Sequence, residues 1–329
     1  MCEADKWGDV VVFFMNGIGD CILNMPALRG LAEFLGDRMS LIVPQHPVSA
    51  VFIQLPVRKL INVEFVWEER DSGRERIFSV ERILDQIERC DTFIALVPWK
   101  SGLLQDLVVA LGAKRSIGYF QEYDIAIPLD YGKHSAYLAF DCVRLLSDHS
   151  SFEEFGFPVV YPDPVITKSR YIRSALPPDA KVLAVHADTL ECKMWPRLRL
   201  LEVLDVFLSR YEQFWALIVG IRRYDLSVCQ RYERIVSCVG IGLLEAMALV
   251  SEADQFLGVD SCMLHVADIH RIPTVALFGP TSAKEFGCLF TDNITIQSAS
   301  SMDAIDVTRV CRALDEITQS PNQRQLWLV

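Results

Sequence analysis

The feature that most constrains the fold is an alternation of short apolar runs with segments of helical periodicity, which occurs in both halves of the chain. In the first half the apolar runs lie at 10–15, 39–43, 63–67, 92–97 and 115–119, and the helical segments at 22–35, 46–54, 79–89, 101–112 and 134–147. In the second half the runs lie at 181–186, 214–219, 235–239, 254–258 and 273–278, and the helical segments at 197–211, 223–232, 242–251 and 262–269. Strands that alternate with helices form parallel sheets with helical crossovers. The sequence therefore predicts an α/β protein with two doubly wound domains facing each other across a cleft.

A proline-rich segment separates the two halves. Residues 161–180 contain four prolines and are predicted to form a linker. We therefore predict a first domain over 1–165, a second over 166–302, and a C-terminal helix and tail over 303–329.

Composition excludes several classes of protein. The chain has 329 residues, of which 51% are hydrophobic and 23% charged, as in globular proteins. Its net charge of -11 argues against a nucleic-acid partner. Residues 1–165 hold 15 basic and 24 acidic residues, against 17 and 19 in the remainder, so the first half carries most of the acidity.

The apolar runs, the start of the chain and the cysteines favour a location inside the cell. No apolar run approaches the roughly 18 residues of a membrane helix, and the start, "MCEADKWGD", lacks an apolar signal core. The ten cysteines form no CxxC pair, which favours reduced thiols over a disulfide or metal site. We expect a cytoplasmic enzyme without a transmembrane segment.

The loop after the first apolar run combines two glycines with an acid. In the segment Gly17-Ile18-Gly19-Asp20, the glycines lie at a predicted turn from strand to helix. Asp20 then either caps the helix N-terminus or extends a carboxylate into the cleft as a general base. The glycines do not form a dinucleotide fingerprint, because GxGxxG would require glycine where Ile22 stands.

A second loop, "HADTLECKMWP" at 186–196, follows the first strand of the second half. Lys193 is the only base in this short polar loop. It is either a solvated surface lysine or a point charge that binds a phosphate.

A third region, "FLGVDSCMLHVAD" at 256–268, places Asp260 and Ser261 between a strand and a helix that starts near Cys262. The backbone N–H groups of such a helix start can bind a diphosphate. His265 lies in the first turn, as a structural histidine or as part of the site. The hydroxyls of the loop 279–282, "GPTS", come after the next strand and can also reach phosphates.

Taken together, these loops resemble glycosyltransferase family 9, the ADP-heptose:lipopolysaccharide heptosyltransferases and their relatives. The family begins with a G-x-G-D segment that continues to P-A-L-R, here "GIGDCILNMPALRGL". It continues with an H-P-G-A-S-x-x-x-K-x-W-P block, here "HADTLECKMWP". It ends with a D-S-G-x-x-H motif and an A-L-F-G-P-T strand and loop, here "GVDSCMLHVADIHRIPTVALFGPT". The order and spacing agree over roughly residues 10 to 285.

The resemblance implies a fold and a reaction. The family has the GT-B fold, two Rossmann-like domains with a cleft, whose C-terminal helix commonly packs back on the first domain, the place expected for 303–329. Asp20 matches the catalytic base, and Lys193 a residue that stabilises the leaving diphosphate. The reaction is then an inverting displacement that needs no metal or other cofactor, from a nucleotide-sugar donor, by default ADP-heptose, to an acceptor hydroxyl. The donor-binding residues implied are Gly17, Gly19, His186, Asp225, Asp260, Ser261, Cys262, His265, Gly279 and Thr281.

The chain departs from the family pattern at several points. Cys262 stands where the family has glycine, and "HADTLE" lacks the P-G-A-S of the usual loop. Relatives often carry a ribose-binding acid after the strand that here reads "FWALIV", and Asp225 is the nearest candidate. These departures leave the donor's base and sugar open.

The acceptor and the activity itself also have alternatives. A lipopolysaccharide core acceptor is anionic, whereas the first half of this chain is acidic, so a neutral or cationic natural product is the other expectation. A nucleotide-sugar-binding protein with altered or lost turnover is the second hypothesis. A Rossmann oxidoreductase is a third, which the missing GxGxxG disfavours.

Overall fold

The computed structural model describes residues 6–70, 73–319 and 326–328. For residues 67–70, 73–76 and 326–328 it describes the backbone alone. The chain divides into two compact units, Met1–Gly156 and Phe157–Val329.

The first unit is built on a parallel sheet. Its strands are β1 (Val10–Phe13), β2 (Met39–Pro44), β3 (Lys59–Val63), β4 (Phe65–Arg70), β5 (Gly73–Phe78), β6 (Thr92–Ala95), β7 (Arg115–Gly118) and β8 (Ile125–Ala126). Its α-helices are α1 (Ile18–Leu23), α2 (Met25–Leu35), α3 (Val80–Leu84), α4 (Gly102–Leu111) and α5 (Ser135–Leu146). The sheet has the order β3-β2-β1-β6-β7-β8, and β4 pairs with β5 in an antiparallel hairpin. All four residues of β1 are buried, because helices cover both faces of such a sheet.

The second unit repeats this architecture. Its strands are β9 (Lys181–His186), β10 (Phe214–Gly220), β11 (Ile235–Val239), β12 (Gln255–Val259), β13 (Thr274–Phe278), β14 (Asn293–Gln297) and β15 (Leu326–Leu328). Its α-helices are α6 (Asp163–Arg173), α7 (Arg197–Arg210), α8 (Leu243–Ser251), α9 (Cys262–Ile269), α10 (Ala283–Phe286) and α11 (Val307–Gln319). The sheet order is β11-β10-β9-β12-β13-β14-β15, and every pair is parallel. The prediction of two doubly wound α/β units is confirmed.

The predicted helix over 223–232 is wrong. The segment instead contains two short 3-10 turns, Leu226–Val228 and Tyr232–Arg234. Asp205 accepts hydrogen bonds from the backbone N–H groups of Gln230 and Arg231, both at 2.8 Å. Side chains that bind backbone groups in this way compete with helical hydrogen bonds. Similarly, 46–54 contains only a 3-10 helix, Val48–Phe52.

The segment predicted as a linker contains a helix of the second unit. Pro164 lies in the first turn of α6, where its missing N–H costs nothing. Lys168 of α6 donates to Glu245 of α8 at 2.9 Å. Because α6 packs against α8, it belongs to the second unit, and the units divide after Gly156, nine residues before the expected boundary at 165/166.

The C-terminal helix α11 packs on the second unit, and its return to the first unit, which the resemblance implies, stays a prediction. Val310 and Leu314 of α11 are fully buried in the second unit's core. Asp315 accepts a hydrogen bond from the hydroxyl of Tyr211 at 3.1 Å and forms an ion pair with Arg210, at the end of α7. Among the described residues, no helix is both long and apolar enough to cross a bilayer.

Candidate functional site

The candidate donor site lies at the point in the second sheet where the strand order reverses. The chain leaves β9 toward β10 on one side and leaves β12 toward β13 on the other. The loops after β9 and β12 therefore diverge and leave a crevice at the carboxyl ends of these strands. His186 is the last residue of β9 and pairs with Gly258 of β12. Asp260 follows Gly258 by two residues and therefore lies near the same edge of the sheet.

Asp260 is the centre of this group. It is buried, and its Oδ2 accepts hydrogen bonds from Nζ of Lys193 at 2.8 Å and from Oγ1 of Thr281 at 2.6 Å. The hydroxyl of Thr189 donates to its backbone carbonyl at 3.1 Å. The fold thus brings together three residues singled out from separate loops, with a lysine side chain that remains 22% exposed.

The start of α9 borders Asp260. Ser261 precedes the helix with an extended backbone, and its buried Oγ has no hydrogen-bond partner among the described residues. The first N–H groups of a helix lack partners within the helix and carry the positive end of its dipole. Burial raises the pKa of the half-buried Cys262 thiol to about 11, so the thiol is neutral. His265 is buried within α9.

His186 has a structural hydrogen bond. Its Nδ1 lies 2.9 Å from the carbonyl oxygen of Val219 in β10. Because a carbonyl can only accept, Nδ1 carries the hydrogen. Burial of the ring lowers the pKa of His186 below its usual 6.5, so the imidazole is neutral.

We predict that His186 lowers stability in acid. A histidine whose folded pKa is lowered binds its proton more readily in the unfolded chain, so stability falls as pH drops below about 6.5. His186→Gln, whose amide can still donate to Val219, removes this titration. Chemical unfolding between pH 5 and 8 should show a steeper loss for the wild type; equal slopes would contradict the prediction.

The loop after β10 is held by Asp188. Its Oδ2 accepts from the N–H groups of Ile221 at 2.6 Å and Arg222 at 2.9 Å. Gly220 has a φ of +147°, and a Cβ there would lie 2.2 Å from the same oxygen. Asp225 lies further along this loop, is exposed, and accepts from the N–H and hydroxyl of Ser227. The structure therefore places Asp225 in a local turn and not among the residues that contact Asp260.

Gln297, at the end of β14, organises the loop that carries Gly279 and Thr281. Its side-chain Nε2 donates to the carbonyl of Gly279 at 2.8 Å and to that of Thr281 at 3.0 Å. Its Oε1 accepts from the N–H of Ala283 at 2.9 Å. Sequence reasoning missed this residue, because β14 itself was not predicted.

We predict that Gln297→Leu weakens both the loop and donor binding. The substitution leaves three backbone groups without a partner, which costs about 1–3 kcal/mol for each group that water cannot reach. Thermal unfolding should show a lower midpoint, and the KM for the donor should rise about tenfold. Gln297→Glu is the informative control, since it keeps the acceptor for Ala283 and loses the donor. A Gln297→Leu variant with unchanged KM would exclude a positioning role.

Two more polar residues of the site were also missed. Thr189 lies three residues after the end of β9, and Glu285 lies in α10. Burial and the nearby charge of Asp260 raise the pKa of Glu285. Thr189 lies inside the loop singled out for Lys193 but was not itself proposed, and Glu285 follows the 279–282 loop, so only the folded chain associates the two with Asp260.

Asp20 lies in the first unit, in the loop and helix that follow β1. Its Oδ2 accepts a hydrogen bond from the N–H of Gly17 at 3.2 Å, and Gly19 lies in the first turn of α1. Its side chain is only half-buried. The carboxylate thus contacts the N-cap of α1, and it lies where the first strand order also reverses, between β1 and β6.

The comparisons with known proteins agree with this architecture. The family model described as glycosyltransferase family 9 (heptosyltransferase) matches residues 145–315, more than half of the chain. The chain belongs to glycosyltransferase family 9. It is therefore a glycosyltransferase by family.

Several solved structures of this family share the fold. A family 9 glycosyl transferase from Veillonella parvula is 17% identical with a TM-score of 0.75, covering 94% of this chain and 97% of that one. The ADP-heptose lps heptosyltransferase II of E. coli is 14% identical with a TM-score of 0.69, covering 96% and 100%. The E. coli heptosyltransferase WaaC, solved with ADP, is 14% identical with a TM-score of 0.64, covering 93% and 99%. No curated protein sequence matches the chain at a significant level.

Within the part of the chain that the structure describes, no group of three or more His, Cys, Asp or Glu side chains is arranged to hold a metal ion.

Proposed function

We propose that this protein transfers a sugar from a nucleoside-diphosphate donor to an acceptor hydroxyl, with the donor bound at the crevice between β9 and β12. The observation that carries the proposal is the contact of Lys193 with Asp260 beside the start of α9. An ammonium and a helix N-terminus next to each other form an environment suited to a diphosphate. Membership of family 9 supports the same class of reaction.

The donor proposed is ADP-heptose. The E. coli relative WaaC was solved with ADP and with ADP-2-deoxy-2-fluoro heptose, and both share the fold of this chain. In the present chain the neutral thiol of Cys262 adds no charge against the phosphates. Its volume, where the family has glycine, is expected to restrict how the diphosphate lies on α9.

We propose an inverting displacement in which Asp20 is the general base. Its carboxylate takes the proton of the acceptor hydroxyl, whose oxygen forms a bond to the anomeric carbon as the bond to the diphosphate breaks. Lys193 and the start of α9 stabilise the charge that develops on the departing diphosphate. The position of Asp20 supports this role, since its half-buried side chain keeps part of its surface accessible.

The second candidate is a nucleotide-sugar-binding protein without turnover. The observation that favours it is the same ion pair: Lys193 is already neutralised by Asp260, and a diphosphate must compete for it.

Calorimetry and mass spectrometry separate the two candidates. The full chain is titrated with ADP, GDP and UDP in the presence of a chelator, and then incubated with the corresponding nucleotide sugars. A transferase binds one nucleoside diphosphate and releases it from its sugar nucleotide when acceptor is present. A binding protein retains affinity without release, and a chain that binds none of the three contradicts both candidates.

A further inference from the structure

The first sheet has its own point where the strand order reverses, and the loops around it contain residues that the proposed mechanism does not use. The strand order reverses between β1 and β6, and β7 lies beside β6. The loops after these three strands meet at one edge of the sheet. Ligands of doubly wound sheets bind at this point, so side chains there are candidates for contact with a ligand.

Asn16 joins the first two loops. Its Nδ2 donates to the carbonyl of Leu96 at 3.1 Å, and its Oδ1 accepts from Nε1 of Trp99 at 3.2 Å. The next residue, Gly17, donates its N–H to Asp20. The indole of Trp99 is therefore fixed near the proposed base through two consecutive residues, while its ring remains half-buried.

The third loop, 119–124, is held against β7 by its last two residues. Asp124 accepts from the N–H of Ser116 at 2.7 Å and from its hydroxyl at 2.8 Å. The ring of Tyr123 packs so closely on Gly118 that a Cβ there would lie 2.4 Å from it. This loop presents the half-buried Phe120 next to the β6 loop.

One lysine connects the loops after β6 and β7. Nζ of Lys100 lies 2.9 Å from Oε2 of Glu122 and 4.7 Å from the centroid of the Phe120 ring. The hydrogen bond from Lys100 lowers the pKa of Glu122, and the opposite charges of this ion pair offset each other. We call Trp99, Lys100, Phe120 and Glu122 the aromatic platform.

The chemistry of the platform matches a neutral sugar. Aromatic rings bury the apolar C–H face of a ligand, and a few polar groups around them fix its orientation. An anionic sugar would meet the carboxylates of Glu122 and Asp20, while the lysine is already paired with Glu122. Like charges placed together in an interface exclude the wrong partner.

We propose that the aromatic platform is the acceptor subsite, and that it binds a neutral pyranose whose hydroxyl is presented to Asp20. The proposal rests on the proposed function, since it takes Asp20 as the base. It names the acceptor's class: an uncharged sugar ring rather than a sugar acid or sugar phosphate.

Saturation-transfer NMR on the full chain tests the platform. The probes are methyl glycosides of glucose, galactose and mannose, each compared with its uronic acid and its 6-phosphate. We expect saturation transfer to the ring C–H protons of at least one methyl glycoside, with affinity about tenfold above that of its charged counterparts. Tighter binding of a uronic acid or a phosphate would overturn the proposal.

Variants establish where the sugar binds. Trp99→Ala should weaken the glycoside about tenfold, whereas Trp99→Phe should keep most of the affinity because a ring remains. Tyr131→Ala is the matched control, since Tyr131 is a 68% exposed aromatic of the same unit. Equal affinity of Trp99→Ala and the wild type for the glycoside would contradict the proposal that the aromatic platform binds the sugar.

The same samples distinguish this proposal from the proposed function. Titration with ADP should give equal affinities for the wild type and all three variants, because the donor crevice lies in the second unit. If ADP binds normally and Trp99→Ala binds the glycoside as tightly as the wild type, the proposal of the aromatic platform is contradicted and the proposed transferase activity is not. If glycoside binding depends on Trp99 but the chain binds no nucleoside diphosphate, the aromatic platform is supported and the proposed transferase activity is contradicted.

Discussion

Asp20→Asn is expected to reduce turnover by about 10²–10⁴-fold, the range over which a positioned general base accelerates a reaction. The affinity for ADP should not change, because Asp20 lies in the first unit and the proposed donor crevice in the second. Single-turnover measurements with the donor identified by mass spectrometry give the rate, and calorimetry with ADP gives the affinity.

The choice of asparagine separates catalysis from folding. Its amide oxygen can still accept the N–H of Gly17, so the contact at the start of α1 is preserved. Asp20→Ala is the paired variant that also loses this contact, and it should unfold about 1 kcal/mol more easily. If Asp20→Asn turns over at nearly the wild-type rate, Asp20 is only a helix cap.

Lys193→Met is expected to have the second large effect, on the donor crevice. Removal of the ammonium should lower kcat/KM by about 10²–10³-fold, the loss typical of a group that stabilises developing charge. It also leaves the buried carboxylate of Asp260 with Thr281 as its described side-chain donor, which destabilises by about 3 kcal/mol. Steady-state kinetics and urea unfolding measure the two losses separately.

A double variant identifies which loss is functional. In Lys193→Met/Asp260→Asn the unpaired charge is gone, so the free energy of unfolding should return toward that of the wild type. Turnover should stay low, because the diphosphate still lacks its cation. Recovery of both properties would show that Lys193 serves only to neutralise Asp260.

The positions of the strands of both main sheets were largely predictable from the sequence. Val10, Val11, Val12 and Phe13 are buried together because both faces of a parallel sheet are covered, which requires a continuous apolar run. Runs of this kind predicted most strands that lie inside the two sheets. The run at 63–67 overlaps β4, whereas no run predicted β3, β5, β8, β14 or β15, which lie away from the sheet centres or outside the two sheets.

The helices show where local pattern is not enough. Residues 223–232 have helical composition, but the distant carboxylate of Asp205 takes two of their backbone N–H groups. Residues 161–180 are rich in proline, but Pro164 starts a helix that α8 stabilises. In both cases a partner remote in the sequence decides the outcome.

The sequence alone determined two parallel sheets and the loops that carry chemistry, because burial of each strand and the residues just beyond it are local properties. Only the tertiary structure decided that Lys193 and Thr281, which lie 67 and 21 residues from Asp260, share one of its oxygen atoms. The same is true of Gln297 behind that loop and of α11 against α7. Such contacts depend on the order of strands in a sheet, which the crossovers set and which no short stretch of sequence encodes.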